Sequence, residues 1–431
     1  MSEKSVAVSA ESVKKVESYR WVVYGILALC YFFVFFHRMA AGVMRSDLQK
    51  AFDIGPAEFS VLAACYFYTY TLMQLPAGIL ADALGAKKTV AGGMLVAALG
   101  SLIFAFAPTI TVAYIGRAVV GAGVAVVFIP ILVIQTQWFY PRNFGMLTGL
   151  TGVFGNLGGI AAQTPLLFLL GAVGWRNSFI AVGIISVLLF VLVIAFVKSS
   201  PRDMGLPTIA EIEGREVKAA ATKISIGKSL KTIASNPLTW LTTVIIAGLM
   251  GAYITFSSAW GVSLLKAKFN VDAATAANGN LVLLLAVAVV GTFVGSISDK
   301  LRNRKGVMIA LTSIYLLTWI LFLYVDIPSS MYYPFMFLMG VGTCALILTW
   351  TLAKEYNDPR VAGMSTAFVN TFAFAAGAIF PVIIGKAMAK VGENPTFADY
   401  VSAFSWMPVV LGITVVASFL LKETKAENIY K

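Results

Sequence analysis

Long apolar runs separated by short polar segments fill this chain from end to end. Twelve stretches are long enough to cross a bilayer: 21–44, 57–78, 88–107, 110–136, 143–170, 177–197, 237–264, 276–297, 306–325, 331–353, 361–385 and 400–421. A crossing takes about 20 apolar residues at ~1.5 Å each. Hydrocarbon offers backbone groups no partner, so each stretch is predicted as a helix. Internal prolines such as Pro130, Pro165 and Pro381 mark kinks. The longest polar stretch, 198–236, divides the runs six and six. The expected organisation is a cytoplasmic tail (1–20), a six-helix bundle (21–197), a cytoplasmic linker with a short amphipathic helix near 225–235 (198–236), a second bundle (237–421) and a cytoplasmic tail (422–431).

Composition makes the bilayer reading firm. The chain is 59% hydrophobic and 12% charged, against about 45–50% and 25% in soluble domains. A water-soluble fold has too little interior to hide that much apolar surface. The net charge of +12 does not point to nucleic acid, because the basic residues cluster in the short polar segments. They are about threefold richer on the side that would carry both termini, which predicts termini inside. Cys30, Cys65 and Cys344 all fall in apolar runs and imply no disulfide framework. The first twenty residues lack the features of a cleaved signal, so the first helix is expected to be a permanent anchor. No usable Asn-x-Ser/Thr acceptor occurs, which favours a prokaryotic inner membrane.

The two halves repeat. Gly78 and Asp82, followed by Lys87-Lys88, recur as Gly295 and Asp299, followed by Arg304-Lys305. Pro141-Arg142 with Gly145-Met146 recurs as Pro359-Arg360 with Gly363-Met364, and Gly121-x-Gly123 as Gly340-x-Gly342. Offsets of 217 to 219 residues at three landmarks imply a duplicated six-helix unit.

Gly78-x-Leu80-x-Asp82-x-x-Gly85-x-Lys87-Lys88, between the second and third spans, resembles the signature loop of the major facilitator superfamily. Arg117-x-x-x-Gly121-x-Gly123 is similar to a second motif of that family. The resemblance covers the whole membrane region and implies an all-α fold of two six-helix bundles, a carrier working by alternating access. Ala83 and Ala86 stand where the family often has Arg. The resemblance further implies a conformational latch built from Gly78, Asp82, Gly85, Lys87, Lys88 and Arg117, with Asp299 and Arg304 as repeat counterparts. The alternative is that these residues only hold the loop. Arg117, seven residues into its span, either reaches the outer interface or is an interior charge.

His37 and Arg38 carry the chemistry of the first helix. An intramembrane charge is a functional hypothesis in itself, and a guanidinium matches carboxylate or phosphate. The segment is similar to the first helix of organic-anion and amino-acid symporters of the superfamily, where Arg at this place binds the anionic group; His37 stands where those often have Asp. The alternative is that Arg38 marks the outer boundary of the span. His37, the sole histidine, is the candidate for proton coupling, or a neutral structural group. Tyr66, Tyr70 and Gln74 lie at i, i+4 and i+8 on one face. Together with Gln135, Asn156, Tyr253, Ser257, Trp260 and Asn370 they complete the candidate substrate-binding set. The seventh span has no Lys or Arg from Thr242 to Leu264, which leans toward a singly charged anion or a zwitterion.

No phosphate-binding loop, catalytic grouping or metal-ligand spacing is present in the sequence, so neither enzyme activity nor a cofactor is expected. The expected activity is proton-coupled symport of a small organic anion or amino acid by a monomer in the lipid bilayer. The rivals are a sugar-phosphate or anion exchanger, a drug-type exporter, and a non-transporting receptor on the same scaffold.

Overall fold

The computed structural model describes residues 9–214, 226–391 and 395–430. The central part of the linker and the Asp82 side chain of the expected latch lie outside the described residues. The first half contains α1 (Ala10–Met39), α2 (Arg45–Phe52), α3 (Pro56–Leu72), α4 (Gln74–Leu84), α5 (Ala86–Ala105), α6 (Ile110–Ala125), α7 (Phe128–Trp138), α8 (Phe144–Ala161) and α9 (Thr164–Phe196). The linker holds α10 (Ile209–Ile212) and α11 (Ile226–Ala234). The second half contains α12 (Pro237–Ile254), α13 (Gly261–Phe269), α14 (Ala273–Leu301), α15 (Arg304–Tyr324), α16 (Tyr332–Thr343), α17 (Ala345–Glu355), α18 (Ala362–Met388), α19 (Phe397–Phe404) and α20 (Met407–Leu420).

Among the described residues, ten helices are long and apolar enough to cross a membrane, not twelve. Two local breaks account for the difference. The expected second span is interrupted at Met73 into α3 and α4. The expected fifth and sixth spans are redivided: α8 ends at Ala161, and α9 runs on through Gly174, whose backbone (φ 76, ψ 165) is not helical. The first helix begins at Ala10, well before Trp21, because Ser9 caps it in a box with Ser12. Helix starts elsewhere follow the same chemistry, with Thr109, Asn236, Asp272 and Asn303 each accepting from a first-turn N–H.

Glycine seams set the helix spacing. A Cβ at Gly100 would lie 2.5 Å from Val120 N, one at Gly116 2.6 Å from Phe104 N, and one at Gly123 2.5 Å from Ala97 N. Close α5–α6 contact therefore needs glycine on both helices. The repeat of this pair behaves alike, with Gly342 placed against Tyr315 N at 2.6 Å. Large apolar side chains such as Leu72, Phe168, Ile184, Val409 and Leu420 stay exposed, a surface only lipid would cover.

The halves meet through two symmetric pairings, α3 with α18 and α8 with α14, and through α1 against the segment after α12. That segment, Thr255–Trp260, is π-helical, a local widening that often marks function.

The C-terminal tail is tied down beneath the second half. Glu423 accepts from the backbone N–H of Arg304 (2.9 Å) and Lys305 (2.8 Å), so it caps α15 from a distance in sequence, and from those of Thr424 and Lys425 (both 2.9 Å). Thr424 donates to Glu355 Oε2 at 2.6 Å, Asn428 donates to the Lys354 and Asn357 carbonyls, and Arg302 pairs with Glu427. Burial opposes ionisation of Glu423, yet the four N–H groups prevail and hold its carboxyl below the ordinary value. A depressed folded value means that the stabilisation is complete above the unfolded glutamate value near ~4.3 and is lost as pH falls through the folded one. Glu423→Gln is expected to lower the melting temperature at pH 7, with a loss on the order of 1 kcal/mol for a helix cap. The two melting curves should converge only once pH falls below the depressed value of the folded Glu423 carboxyl; equal melting at pH 7 would remove the cap from the stability of this end.

Candidate functional site

Arg38 lies at the interface of the two halves, 6% exposed. One nitrogen, Nη2, donates to the Tyr70 hydroxyl at 3.0 Å. The guanidinium otherwise rests on aromatic faces, 4.3 Å from the Phe35 ring centre, 5.1 Å from Tyr70 and 4.9 Å from Phe374, the last contributed by α18 of the second half. Among the described residues it has no carboxylate partner, and its Nε has no hydrogen-bond partner. It does not turn out toward the membrane boundary. A buried arginine costs about 2.5–3.5 kcal/mol on the insertion scale. Cation–π contacts return about 0.5–2 kcal/mol, which leaves a positive group with unspent capacity for an anion.

Tyr66 and Tyr70 stack with ring centres 5.8 Å apart. Tyr66 donates to the Val34 carbonyl at 3.2 Å and carries Arg117 over its other surroundings, with Cζ 5.2 Å from the ring centre. Arg117 is interior, 1% exposed, and donates from Nη1 to the His37 carbonyl at 3.1 Å; it does not reach the interface. Its Nε and Nη2 have no partner among the described residues. His37 is fully buried, with its ring against Phe36 and Phe179 and neither ring nitrogen hydrogen-bonded. It therefore turns into the packing of the first half, away from the face on which Arg38 meets Phe374.

The remaining candidates divide into groups. Gln74 accepts from Asn370 at 3.0 Å across the halves, on the Tyr70 face of the second span. Tyr253 is buried within electrostatic reach of Arg38. Gln135 donates to Thr151 at 2.8 Å, an interhelical bond inside the first half. Asn156 is half-buried on α8. The hydroxyl of Ser257 is buried and unbonded, while its carbonyl accepts from Asn280. Trp260 is not beside Arg38: its indole donates to the Pro381 carbonyl at 3.3 Å, and its face lies 3.9 Å from the Arg45 guanidinium. Phe35 and Phe374 lie against Arg38, and Arg45 against Trp260; the sequence reading does not single out these three. The only available signal was for Arg45, a basic residue just past the predicted end of a span.

The expected latch is uneven. In the second half Arg304 pairs with Asp299 at 2.5 Å and with Glu355 at 2.9 Å. In the first half Gly85 makes the turn with φ 84, half-buried Lys87 donates to the Ile194 carbonyl at 2.7 Å, Lys88 is exposed, and Gly78 has open space beside it.

The halves touch from mid-bundle to the end away from the tail. There Asn280 donates to Gln163 at 2.8 Å and Thr164 to Asn278 at 2.6 Å. A Cβ at Gly42 would lie 3.0 Å from the Ser258 carbonyl, and one at Gly385 would meet Ser60. This end is closed. A double-mutant cycle on Gln163→Leu and Asn280→Leu is expected to give a coupling of about 0.6–1.7 kcal/mol in unfolding from detergent; zero coupling would mean that the bond does not hold the end together.

Comparison with known proteins follows this geometry. The Major Facilitator Superfamily model matches residues 27–381. The chain is similar, at 23% identity over 93% of its length and 94% of the relative's, to a probable sulfoacetate transporter, SauU, of Cupriavidus necator. It is also similar, at 23% identity over 83% of its length and 81% of the relative's, to the membrane sensor protein UhpC of Salmonella typhimurium. In fold it resembles a bacterial homologue of the human lysosomal transporter Spinster in an inward-facing, unoccupied conformation, with a TM-score of 0.74, 16% identity and coverage of 94% of this chain and 98% of that one. The chain therefore belongs to the Major Facilitator Superfamily and is a multi-pass membrane transporter, not an enzyme.

Proposed function

We propose that this carrier moves a small organic anion bearing a carboxylate or sulfonate, with Arg38 as the group that holds the charge. The observation that carries the reading is the uncompensated guanidinium between the halves, resting on rings from both. Buried charges are normally paired or hydrogen-bonded. A passenger anion would complete the pairing that no protein carboxylate supplies. Tyr70, Tyr66 and Tyr253 would bound the site with hydroxyls and ring faces, and Gln74 with Asn370 would close it on the side nearer the tail. The similarity to a probable sulfoacetate transporter fits a doubly ended anion as well as the singly charged one expected from the seventh span.

The chain in this reading makes twelve crossings, with α3 and α4 counted as one and α9 divided at Gly174. Both termini are cytoplasmic, so the closed end faces outward. Alternating access would part that end while the other closes. Proton coupling through His37 is the symport form of the proposal. Strict one-for-one exchange is its rival. The similarity to a membrane sensor keeps a second reading in view, a receptor that binds the anion and moves none.

Proteoliposome assays separate these. Sulfoacetate, a hexuronate and a hexose phosphate are the first probes for counterflow. Arg38→Gln is expected to lose anion binding by roughly 10- to 100-fold, the scale of a charged hydrogen-bonded contact, while the protein stays monodisperse. Arg38→Lys should keep part of it. Unchanged affinity in Arg38→Gln would refute the assignment, and binding without flux in the wild type would favour the receptor. For His37→Gln, counterflow should persist while accumulation driven by a proton gradient is abolished. Accumulation as in the wild type would take His37 out of the coupling route.

A further inference from the structure

Arg45, at the start of α2, is a second buried cation on the path, and nothing above assigns it a task. It is 7% exposed. Its Nε donates to Gln49 at 3.2 Å, and its Nη1 is buried without a partner. Among the described residues it makes no ion pair. The guanidinium sits between the Phe59 ring of its own half, at 5.5 Å, and the Trp260 ring of the other half, at 3.9 Å. Trp260 is fully buried and held by Phe59 at 6.4 Å, by Tyr400 at 6.3 Å and by its bond to Pro381.

Two spacings connect this cluster to the central one. Arg38 and Arg45 are seven residues apart, one in the last turn of α1 and the other at the first position of α2, across the turn that joins the two helices. Tyr253 and Trp260, their counterparts on the opposing helix, are also seven apart. The result is two rungs between the halves, Arg38 near Tyr253 and Arg45 on Trp260. The Arg45 rung lies at the closed end, beside the Gly42–Ser258 approach, and Trp260 ends the π-helical segment.

We propose that Arg45 is the gate residue of the closed end, exchanging its aromatic partner for an oxyanion when the end opens. In the closed state Trp260 covers one face of the guanidinium. Parting the halves removes Trp260 and Tyr400, the second-half groups that interact with the guanidinium, but leaves Phe59 and Gln49, since both travel with Arg45. The freed face and the unbonded Nη1 then form a donor site that a carboxylate, sulfonate or sulfate fits. An anion leaving this site meets Arg38, further in. Trp260 and the anion compete for one cation, so anion binding at Arg45 favours opening. The gate stands on family membership alone, whereas the anion exchange rests on the reading of an anionic passenger.

The test is a distance measurement between spin labels introduced through noncanonical residues at Lys50 and Asn270, which are exposed at this end on opposite halves. In nanodiscs the wild type is expected to show mainly the short distance. Arg45→Met and Trp260→Leu should each raise the long-distance population several-fold, and the double variant no further than either single one. Trp260→Phe, which keeps an aromatic face, and Arg45→Lys, which keeps the charge, should retain most of the short population and guard against misfolding. Unchanged distributions in both single variants, or additive shifts, would overturn the gate. For the exchange, Arg38→Gln silences the inner site. In that background sulfate, against chloride at matched ionic strength, should increase the long-distance population, and adding Arg45→Met should abolish the increase. No response to sulfate would overturn the exchange and leave Arg38's role to its own assay.

Discussion

The arrangement of this carrier depends on how a guanidinium is kept in a low-dielectric interior without a carboxylate. Pairing Arg38 with a resident acid would neutralise it and leave nothing for a passenger. Resting it on Phe35, Tyr70 and Phe374 lowers the cost of burial while keeping its charge available, because ring faces attract a cation but do not occupy its hydrogen bonds. One of the three rings comes from the other half. The same contact that shelters the cation therefore also reports whether the halves are together.

Among the described residues the interface is built from small, aromatic and amide side chains, with no ion pair across it. Glycines at 42 and 385 let backbone meet backbone at the closed end, and amide bonds such as Gln74–Asn370 and Gln163–Asn280 add modest directional hold. Interhelical bonds of this kind in membranes average about 0.6 kcal/mol. Several weak contacts of this kind hold the halves together less tightly than one strong buried ion pair across the interface would. The strong ion pairs are elsewhere, in the Asp299–Arg304–Glu355 cluster with the tail beneath it, where they stiffen one half without bridging to the other.

Much of this was legible from the chain alone, and the limits have physical causes. Hydropathy located the stretches that form the ten long apolar helices among the described residues, and the 217-to-219 offsets imply a duplicated unit. Arg38 was conspicuous because charge is rare in such runs. The breaks at Met73 and Gly174 and the π-helical turn at Thr255–Trp260 were not legible: hydropathy averages over them, and backbone departures depend on tertiary packing. Phe374 was invisible for a different reason. One phenylalanine among 30 becomes a cation platform only when the other half brings a guanidinium to it. Trp260 entered the candidate set as a stacking residue of the seventh span, yet the structure places it at the end of the π-helical segment, against Arg45.

The division of labour between the halves follows from the same facts. Arg38, Arg45 and Arg117 all belong to the first half, whereas the second half offers Tyr253, Trp260 and Phe374 and has no Lys or Arg between Thr242 and Leu264. Two cationic surfaces facing each other would repel when empty, and the unloaded carrier could not close. A cationic surface facing an aromatic one meets it through cation–π contact without that repulsion. At these positions the two halves therefore differ: the guanidinium groups belong to one half, and rings that face them to the other.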